Sequence, residues 1–86
     1  MIVMTNKRFD KAYIKLPEKV KHKFKQRRNL FLENEFHPLL ENHALTGDYA
    51  GFRSINITGD FRAIYYLLSP DTAVFVNIDT HSQLYG

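Results

Sequence analysis

Apolar residues in the first third of the chain recur at the spacing of a helix face. One stripe, with the i, i+3, i+4, i+7 spacing, comprises Phe9, Ala12, Tyr13 and Leu16. Thr5 or Asn6 can cap this helix, and Pro17 can end it and open the next one. The second helix is predicted from an apolar stripe made of Val20, Phe24, Leu30 and Phe31. The short apolar run 1–5 predicts an edge strand before both helices.

The second half of the chain changes to the pattern of strands. Residues 52–57, 61–68 and 72–78 are rich in β-branched and aromatic side chains, and turn signals at 58–60 and 69–71 separate them. Connections this short require antiparallel pairing. Residues 35–51 show no sustained period and predict a long, functional connection. The whole pattern predicts an α+β fold in one domain, 1–86, with two N-terminal helices packed on a small antiparallel sheet of three to four strands.

Composition excludes several classes of protein. Apolar residues make up 44% and aromatics 14% of the chain, which is typical of a folded globule. Without cysteine the chain has no disulfide framework and no thiolate metal site. No apolar run approaches the length of a transmembrane helix, and at the N-terminus the apolar residues precede the charges, unlike a signal peptide. We therefore expect a cytoplasmic protein that does not engage a membrane.

Charge is distributed unevenly between the two halves of the chain. Residues 1–40 hold ten Lys/Arg and four Asp/Glu, a balance of +6, whereas residues 41–86 hold two Arg and five Asp/Glu, a balance of −3. The second predicted helix carries six of these cations. One basic side favours a nucleic acid or an acidic protein as partner, although a solvated helix face would have the same composition.

Three common kinds of site are missing from the sequence. The four histidines lack metal-ligand spacing, no glycine-rich phosphate loop is present, and no G-x-S-x-G elbow exists. We therefore expect no metal and no cofactor. What remains is a set of polar residues in the second half: His43, Arg53, Asp60, Arg62, His81 and Tyr85. Histidine and aspartate can move protons and arginine can stabilise a phosphate, which suffices for RNA cleavage, but turn and sheet roles explain the same residues.

Three motifs in the second half resemble those of a known toxin superfamily. Residues 43–53, HALTGDYAGFR, resemble the H-x-L-x-G-x-W/Y-x-G-Y/F-R block of YafQ-like toxins. Residues 59–65, GDFRAIY, resemble the G-D-Y/W-R-x-I-Y block found across the RelE/ParE superfamily. The ending THSQLYG, 80–86, resembles the G-T-H-x-x-L-F/Y-G ending of YafQ-like toxins. Their order and spacing agree with a YafQ-like mRNA interferase.

The resemblance implies a ribosome-dependent endoribonuclease that cleaves mRNA in the ribosomal A site without a metal. It implies proton transfer by His43, Asp60 and His81, with His43 or Asp60 as base and His81 as acid. It further implies RNA or phosphate binding by Arg53, Arg62, Phe61, Tyr85 and Asn56. Two positions depart from the family: Asn56 replaces a histidine and cannot shuttle protons, and Asp79 replaces a glycine.

The implied partners are the ribosome, mRNA and a cognate antitoxin that wraps the toxin, with higher-order toxin–antitoxin complexes as a further expectation. Two other functions stay open from the sequence. A ParE-like toxin would share the fold but inhibit DNA gyrase by binding, and His81 would then be dispensable. A catalytically inert homologue would also fit the asparagine at position 56.

Overall fold

The structure, a computed structural model, describes residues 1–85, so Gly86 of the C-terminal motif lies outside the described residues. Two helices, α1 (Lys7–Ile14) and α2 (Glu18–Glu33), follow the first strand, and a short α3 (His81–Tyr85) ends the described chain. The strands are β1 (Ile2–Thr5), β2 (His43–Ala44), β3 (Arg53–Thr58), β4 (Phe61–Ser69) and β5 (Thr72–Thr80). Single 3-10 turns at Pro38–Leu40 and Gly47–Tyr49 lie between α2 and β3.

The two long helices confirm the predicted apolar stripes. The side chain of Asn6 caps α1, its Oδ1 accepting a hydrogen bond from the Phe9 N–H at 2.8 Å. Pro17 stands immediately before α2, where its missing N–H leaves no intrahelical bond unmade. Within residues 1–85 no helix is long and apolar enough to cross a membrane.

The sheet has five strands in the order β1-β5-β4-β3-β2, which corrects the prediction of three to four antiparallel strands. The predicted meander β3-β4-β5 is confirmed as antiparallel. The edge strand β1 pairs in parallel with β5, from Ile2 opposite Thr72 to Thr5 opposite Phe75. The other edge, β2, has only two residues, which is too short for any alternation to be read from the sequence.

Strand alternation gives the sheet two different faces. The face packed against α1 and α2, here called the helical face, carries the main core cluster, which is dense in aromatic rings. Phe31 and Phe75 are fully buried in it, with ring centroids 5.4 Å apart, and Phe31 lies 4.9 Å from Tyr65. The opposite face, here called the open face, has a smaller buried set outside that cluster: Ile64, Val74 and Leu84.

The C-terminal segment is ordered into strand and helix. Strand β5 extends to Thr80, and α3 begins at the next residue. The hydroxyl of Thr80 accepts a hydrogen bond from the Gln83 N–H at 3.3 Å, which supports the first turn of α3. Burial of Leu84 then fixes α3 against the open face. Residues 80–85 of the C-terminal motif are therefore held by the sheet.

Truncation of Phe31 to alanine should destabilise the protein by about 3–5 kcal/mol, because it removes a fully buried ring from the core. That loss is a large part of the stability expected for a chain of this length, about 5–15 kcal/mol. Urea unfolding followed by circular dichroism measures the change. The neighbouring Leu32→Ala is the matched control: Leu32 is 40% exposed, and the change should stay within about 0.5 kcal/mol. Similar losses in the two variants would contradict this core.

Candidate functional site: a histidine cleft over a buried arginine

An open cleft of about 250 Å³ brings together residues that are far apart in the sequence. It is lined by His43, Ala44, Leu45, Thr46, His81 and Tyr85. Strand β2 contributes His43, and α3 contributes His81 and Tyr85. Both histidines are exposed, so a ligand in the cleft can reach their rings.

A buried guanidinium lies beside the cleft. Arg62 is only 7% exposed, and its Nε donates to the Ser54 hydroxyl at 2.6 Å. Its Nη2 donates to the Glu41 carbonyl at 2.8 Å and lies 3.3 Å from Nδ1 of His43. No carboxylate within residues 1–85 forms an ion pair with it. Its Nη1 makes no hydrogen bond to the described residues and is not a buried orphan, so it is accessible.

Register explains how Arg62 reaches this position. Asn56 pairs with Arg62 across β3 and β4, and Arg62 pairs with Asp79 across β4 and β5, so the three side chains form a row on the open face. The carboxylate of Asp79 accepts from the Thr80 N–H at 2.8 Å instead of neutralising Arg62. Asn56 is half-buried and lies opposite Arg62 in the strand register.

A strained backbone residue sets the position of His43. Glu41 has φ 45° and ψ 47°, the left-handed conformation that a residue with a Cβ rarely adopts. Its carbonyl oxygen faces both Arg62 and Nδ1 of His43, the latter at 3.2 Å. When Nδ1 carries the proton and donates to this carbonyl, Nε2 is the free acceptor of the ring.

The other histidine is held by its backbone and by an aromatic neighbour. The His81 N–H donates to the Asp60 carbonyl at 2.8 Å, which ties α3 to the β3–β4 turn. The rings of His81 and Tyr85 lie 4.6 Å apart in an edge-to-face arrangement. Asp60 also lines a separate groove with Lys19 and Lys23. The structure therefore brings His43, His81, Tyr85 and Arg62 together, and Asp60 joins them through its backbone carbonyl.

Two more of the residues predicted to bind RNA lie on the helical face of the sheet, away from the cleft. Arg53 shares the alternation of Ile55 and Ile57, and its guanidinium stacks 5.1 Å from the Phe36 ring centroid. Phe61 likewise packs against the core cluster. The alternation of side chains along β3 and β4 predicts this placement. The family motifs, in contrast, do not indicate on which face of the sheet a residue lies. The same alternation could have revealed Ser54, which was missed.

A hydrogen-bonded network on the helical face fastens the loop that carries His43. The Tyr65 hydroxyl donates to Oε2 of Glu35 at 2.6 Å and accepts from Nδ2 of Asn42 at 2.8 Å. Oδ1 of Asn42 in turn accepts from Nε of Arg53 at 2.9 Å. Burial, and then the bond to Glu35, raise the pKa of Tyr65 well above its ordinary value. Arg53 thus has a structural partner within the loop.

Basic side chains flank two further grooves on either side of Phe61. One, of about 440 Å³, includes Arg8, Lys11 and Lys15, and the other, of about 470 Å³, includes Lys19 and Lys23. Five of the ten cations of residues 1–40 therefore line grooves that Phe61 borders. Over the described part of the chain, no three His, Asp or Glu side chains are grouped so as to hold a metal ion.

Comparison with known proteins identifies the family. The model of the bacterial toxin of type II toxin–antitoxin systems, YafQ, matches residues 2–86. The chain belongs to the YafQ toxin family. No match was found among curated proteins. The motifs at 43–53, 59–65 and 80–86 thus pointed to the correct family. The family model also matches the N-terminal half of the chain, where the sequence showed no motif.

Solved structures of related toxins share the fold of this YafQ-family chain. Escherichia coli BL21(DE3) YafQ is 24% identical, with a TM-score of 0.79 over 98% of this chain and 97% of that one. The toxin in the E. coli DinJ–YafQ complex is 25% identical, with a TM-score of 0.75 over 98% and 97%. A YoeB/ParE toxin from Agrobacterium tumefaciens, 19% identical, gives 0.78 over 94% and 99%.

The Tyr65 network makes the stability of this YafQ-family toxin fall at high pH. Because the folded protein holds Tyr65 protonated while the unfolded chain ionises near pH 10, stability from this residue is present below pH 10 and is lost as pH rises further. Urea unfolding between pH 8 and 11 should show a shallower decline for Tyr65→Phe than for wild type. Tyr66→Phe, whose hydroxyl makes no hydrogen bond within residues 1–85, should decline like wild type. A Tyr65→Phe curve parallel to wild type would refute this role.

Proposed function

We propose that this toxin is a ribosome-dependent endoribonuclease that cleaves mRNA at the histidine cleft without using a metal. The observation that carries the proposal is the buried Arg62 guanidinium, which has no carboxylate partner and lies beside His43. A buried cation that lacks a counter-ion is costly, and a bound anion would offset that cost. A phosphate of the RNA backbone is the anion that fits a planar guanidinium with an accessible Nη1.

The reaction is an internal transfer at phosphorus. The 2′-hydroxyl loses its proton and its oxygen forms a bond to phosphorus, while the bond from phosphorus to the 5′-oxygen breaks. His81 protonates the departing 5′-oxygen, and Arg62 stabilises the extra negative charge on the phosphoryl oxygens. The products are a 2′,3′-cyclic phosphate and a 5′-hydroxyl, so the step consumes no water and no oxidant.

We assign the role of base to His43 rather than Asp60. His43 lines the cleft with His81, and in the tautomer whose Nδ1–H donates to the Glu41 carbonyl, Nε2 is free to accept the proton. Asp60 lines another groove, and its hydrogen bond with His81 is made by its backbone carbonyl. Asp60 is therefore a positioning residue in this scheme. Tyr85 packs against His81 and offers a ring to a base, and Asn56 can support the phosphate beside Arg62.

The ribosome supplies what the open cleft lacks. The cleft encloses little of an RNA strand, so the isolated toxin should cleave free RNA weakly. The cations beside Phe61 offer a second surface for RNA phosphates. This surface is close to the histidine cleft, because Asp60 lines one of its grooves and also bonds the His81 backbone. Action on translating ribosomes would place the protein in the cytoplasm.

A cognate antitoxin is the expected regulatory partner. The family is defined by toxin–antitoxin systems, and the 25%-identical E. coli YafQ was solved in complex with DinJ. An acidic segment would complement the basic side of this toxin, and coverage of the cleft would block the reaction. Larger assemblies of toxin and antitoxin are part of the same proposal.

His81→Ala should lower single-turnover cleavage of a defined mRNA on purified ribosomes by about 10²–10⁴-fold, because the leaving oxygen loses its proton donor. The wild-type products should carry a 2′,3′-cyclic phosphate, and a 2′-deoxy nucleotide at the cut should abolish cleavage. His22→Ala, an exposed histidine of α2, is the matched control and should keep wild-type activity.

Three outcomes would overturn the proposal in different ways. Equal activity of His81→Ala and wild type would remove the histidine mechanism. Products with other ends would exclude attack by the 2′-hydroxyl. If wild type leaves the mRNA intact on ribosomes, the nuclease assignment fails, and gyrase inhibition or an inert toxin becomes the alternative to measure.

A further inference from the structure

A second cleft lies directly beside the histidine cleft. It measures about 450 Å³ and is lined by Thr46, Asp48, Tyr49, Gln83, Leu84 and Tyr85. Thr46 and Tyr85 also line the histidine cleft, so these two side chains form the wall between the two clefts. We propose that this second cleft binds a nucleobase next to the cut, and that Asp48 selects bases with an exocyclic amino group over uracil. The proposal rests on the nuclease function above.

The dimensions and walls suit a nucleobase. Tyr49 and Tyr85 meet edge to face, 6.1 Å between ring centroids, and both are partly exposed. Bases of single-stranded RNA bind against such rings. Because Tyr85 also contacts His81, a base held in this cleft would lie beside the histidine that protonates the leaving oxygen.

Two polar side chains in the cleft are free to read the edge of a base. Asp48 and Gln83 are exposed, and neither side chain forms a hydrogen bond within residues 1–85. A carboxylate only accepts hydrogen bonds, whereas an amide both donates and accepts. The amino groups of adenine, cytosine and guanine can donate to Asp48. The one donor on the corresponding edge of uracil, N3–H, lies between two carbonyl oxygens that repel a carboxylate.

The charge of Asp48 argues for base recognition rather than phosphate binding in this cleft. Arg62, the buried cation of the open face, lies on the other side of the wall, beside His43. A carboxylate next to an RNA site repels the phosphates of the RNA backbone. The position of Asp48 is therefore explained if its carboxylate accepts hydrogen bonds from a base.

The backbone holds Asp48 in place without the help of its side chain. The 3-10 turn Gly47–Tyr49 is closed by hydrogen bonds from the Tyr49 N–H to the Thr46 carbonyl and from the Ala50 N–H to the Gly47 carbonyl. Gly47, at φ +65°, takes the left-handed conformation that this turn needs. A substitution of Asp48 should therefore change the chemistry of the cleft and leave the fold intact.

Cleavage of an mRNA panel on ribosomes tests the selection. Each base flanking the cut is varied in turn, and wild type should cleave substrates with an amino base at one position about tenfold faster than those with uracil. Asp48→Ala should lose this preference while its cleavage still depends on His81. Asp48→Asn, which can also donate, should raise cleavage of the uracil substrates relative to the others. Glu33→Ala removes an exposed acid of α2 and should keep the wild-type preference.

A binding measurement separates this proposal from the nuclease proposal. Uniform 2′-O-methyl trinucleotides of adenosine, cytidine and uridine cannot be cleaved, and their binding to the isolated toxin can be followed by amide NMR. We expect shifts at residues 46–49 and 83–85 with adenosine and cytidine, weaker shifts with uridine, and no such difference in Asp48→Ala.

The outcomes distinguish which proposal fails. If wild type does not cleave mRNA but these residues still discriminate the trinucleotides, the proposal of a base-binding cleft is kept and the proposal of a nuclease is rejected. If wild type cleaves and Asp48→Ala keeps the same preference among bases, or if the shifts fall elsewhere, the base cleft is overturned and the nuclease stands.

Discussion

The arrangement of the open face depends on one buried cation. Arg62 loses its hydration in the folded chain and gains only neutral acceptors, from Ser54 and Glu41, in addition to its contact with His43. Such a group stabilises a fold poorly on its own, because desolvation of the charge is only partly offset. Arg62 acts instead by positioning other groups. Its guanidinium joins β3, through Ser54, to the loop that carries His43, through Glu41, and its Nη1 stays accessible to solvent.

The helical face supports this arrangement from behind. The hydrogen bonds among Tyr65, Glu35 and Asn42 fix the loop on one side of the sheet, and Arg62 fixes it on the other. The loop therefore has attachments on both faces although it contains little regular structure. Glu41 adopts its strained left-handed conformation at the point where its carbonyl contacts Arg62 and His43. Strained backbone residues of this kind cluster at functional sites.

Much of the fold was predictable from the sequence because its signals are local: apolar stripes gave α1 and α2, and turn residues separated β3, β4 and β5. The pairing of β1 with β5 and the existence of β2 depend on contacts distant in sequence, and no short pattern encodes them. For the site, the motifs marked His43, His81 and Arg62, and the structure brings them together. They also marked Arg53 and Phe61, which strand alternation assigns to the other face. Asp48 lay within a motif but at a position where the motif accepts any residue.

The most direct test of the central role of Arg62 is single-turnover mRNA cleavage on ribosomes by Arg62→Lys, beside Arg53→Lys as the matched control on the opposite face. Lysine keeps the charge but cannot bond Ser54, Glu41 and a phosphate at once. We predict a loss of about 10²–10³-fold for Arg62→Lys, with folding verified by circular dichroism, and a change of only about threefold for Arg53→Lys. Activity of Arg62→Lys within about threefold of wild type, or equal losses in the two variants, would contradict the account.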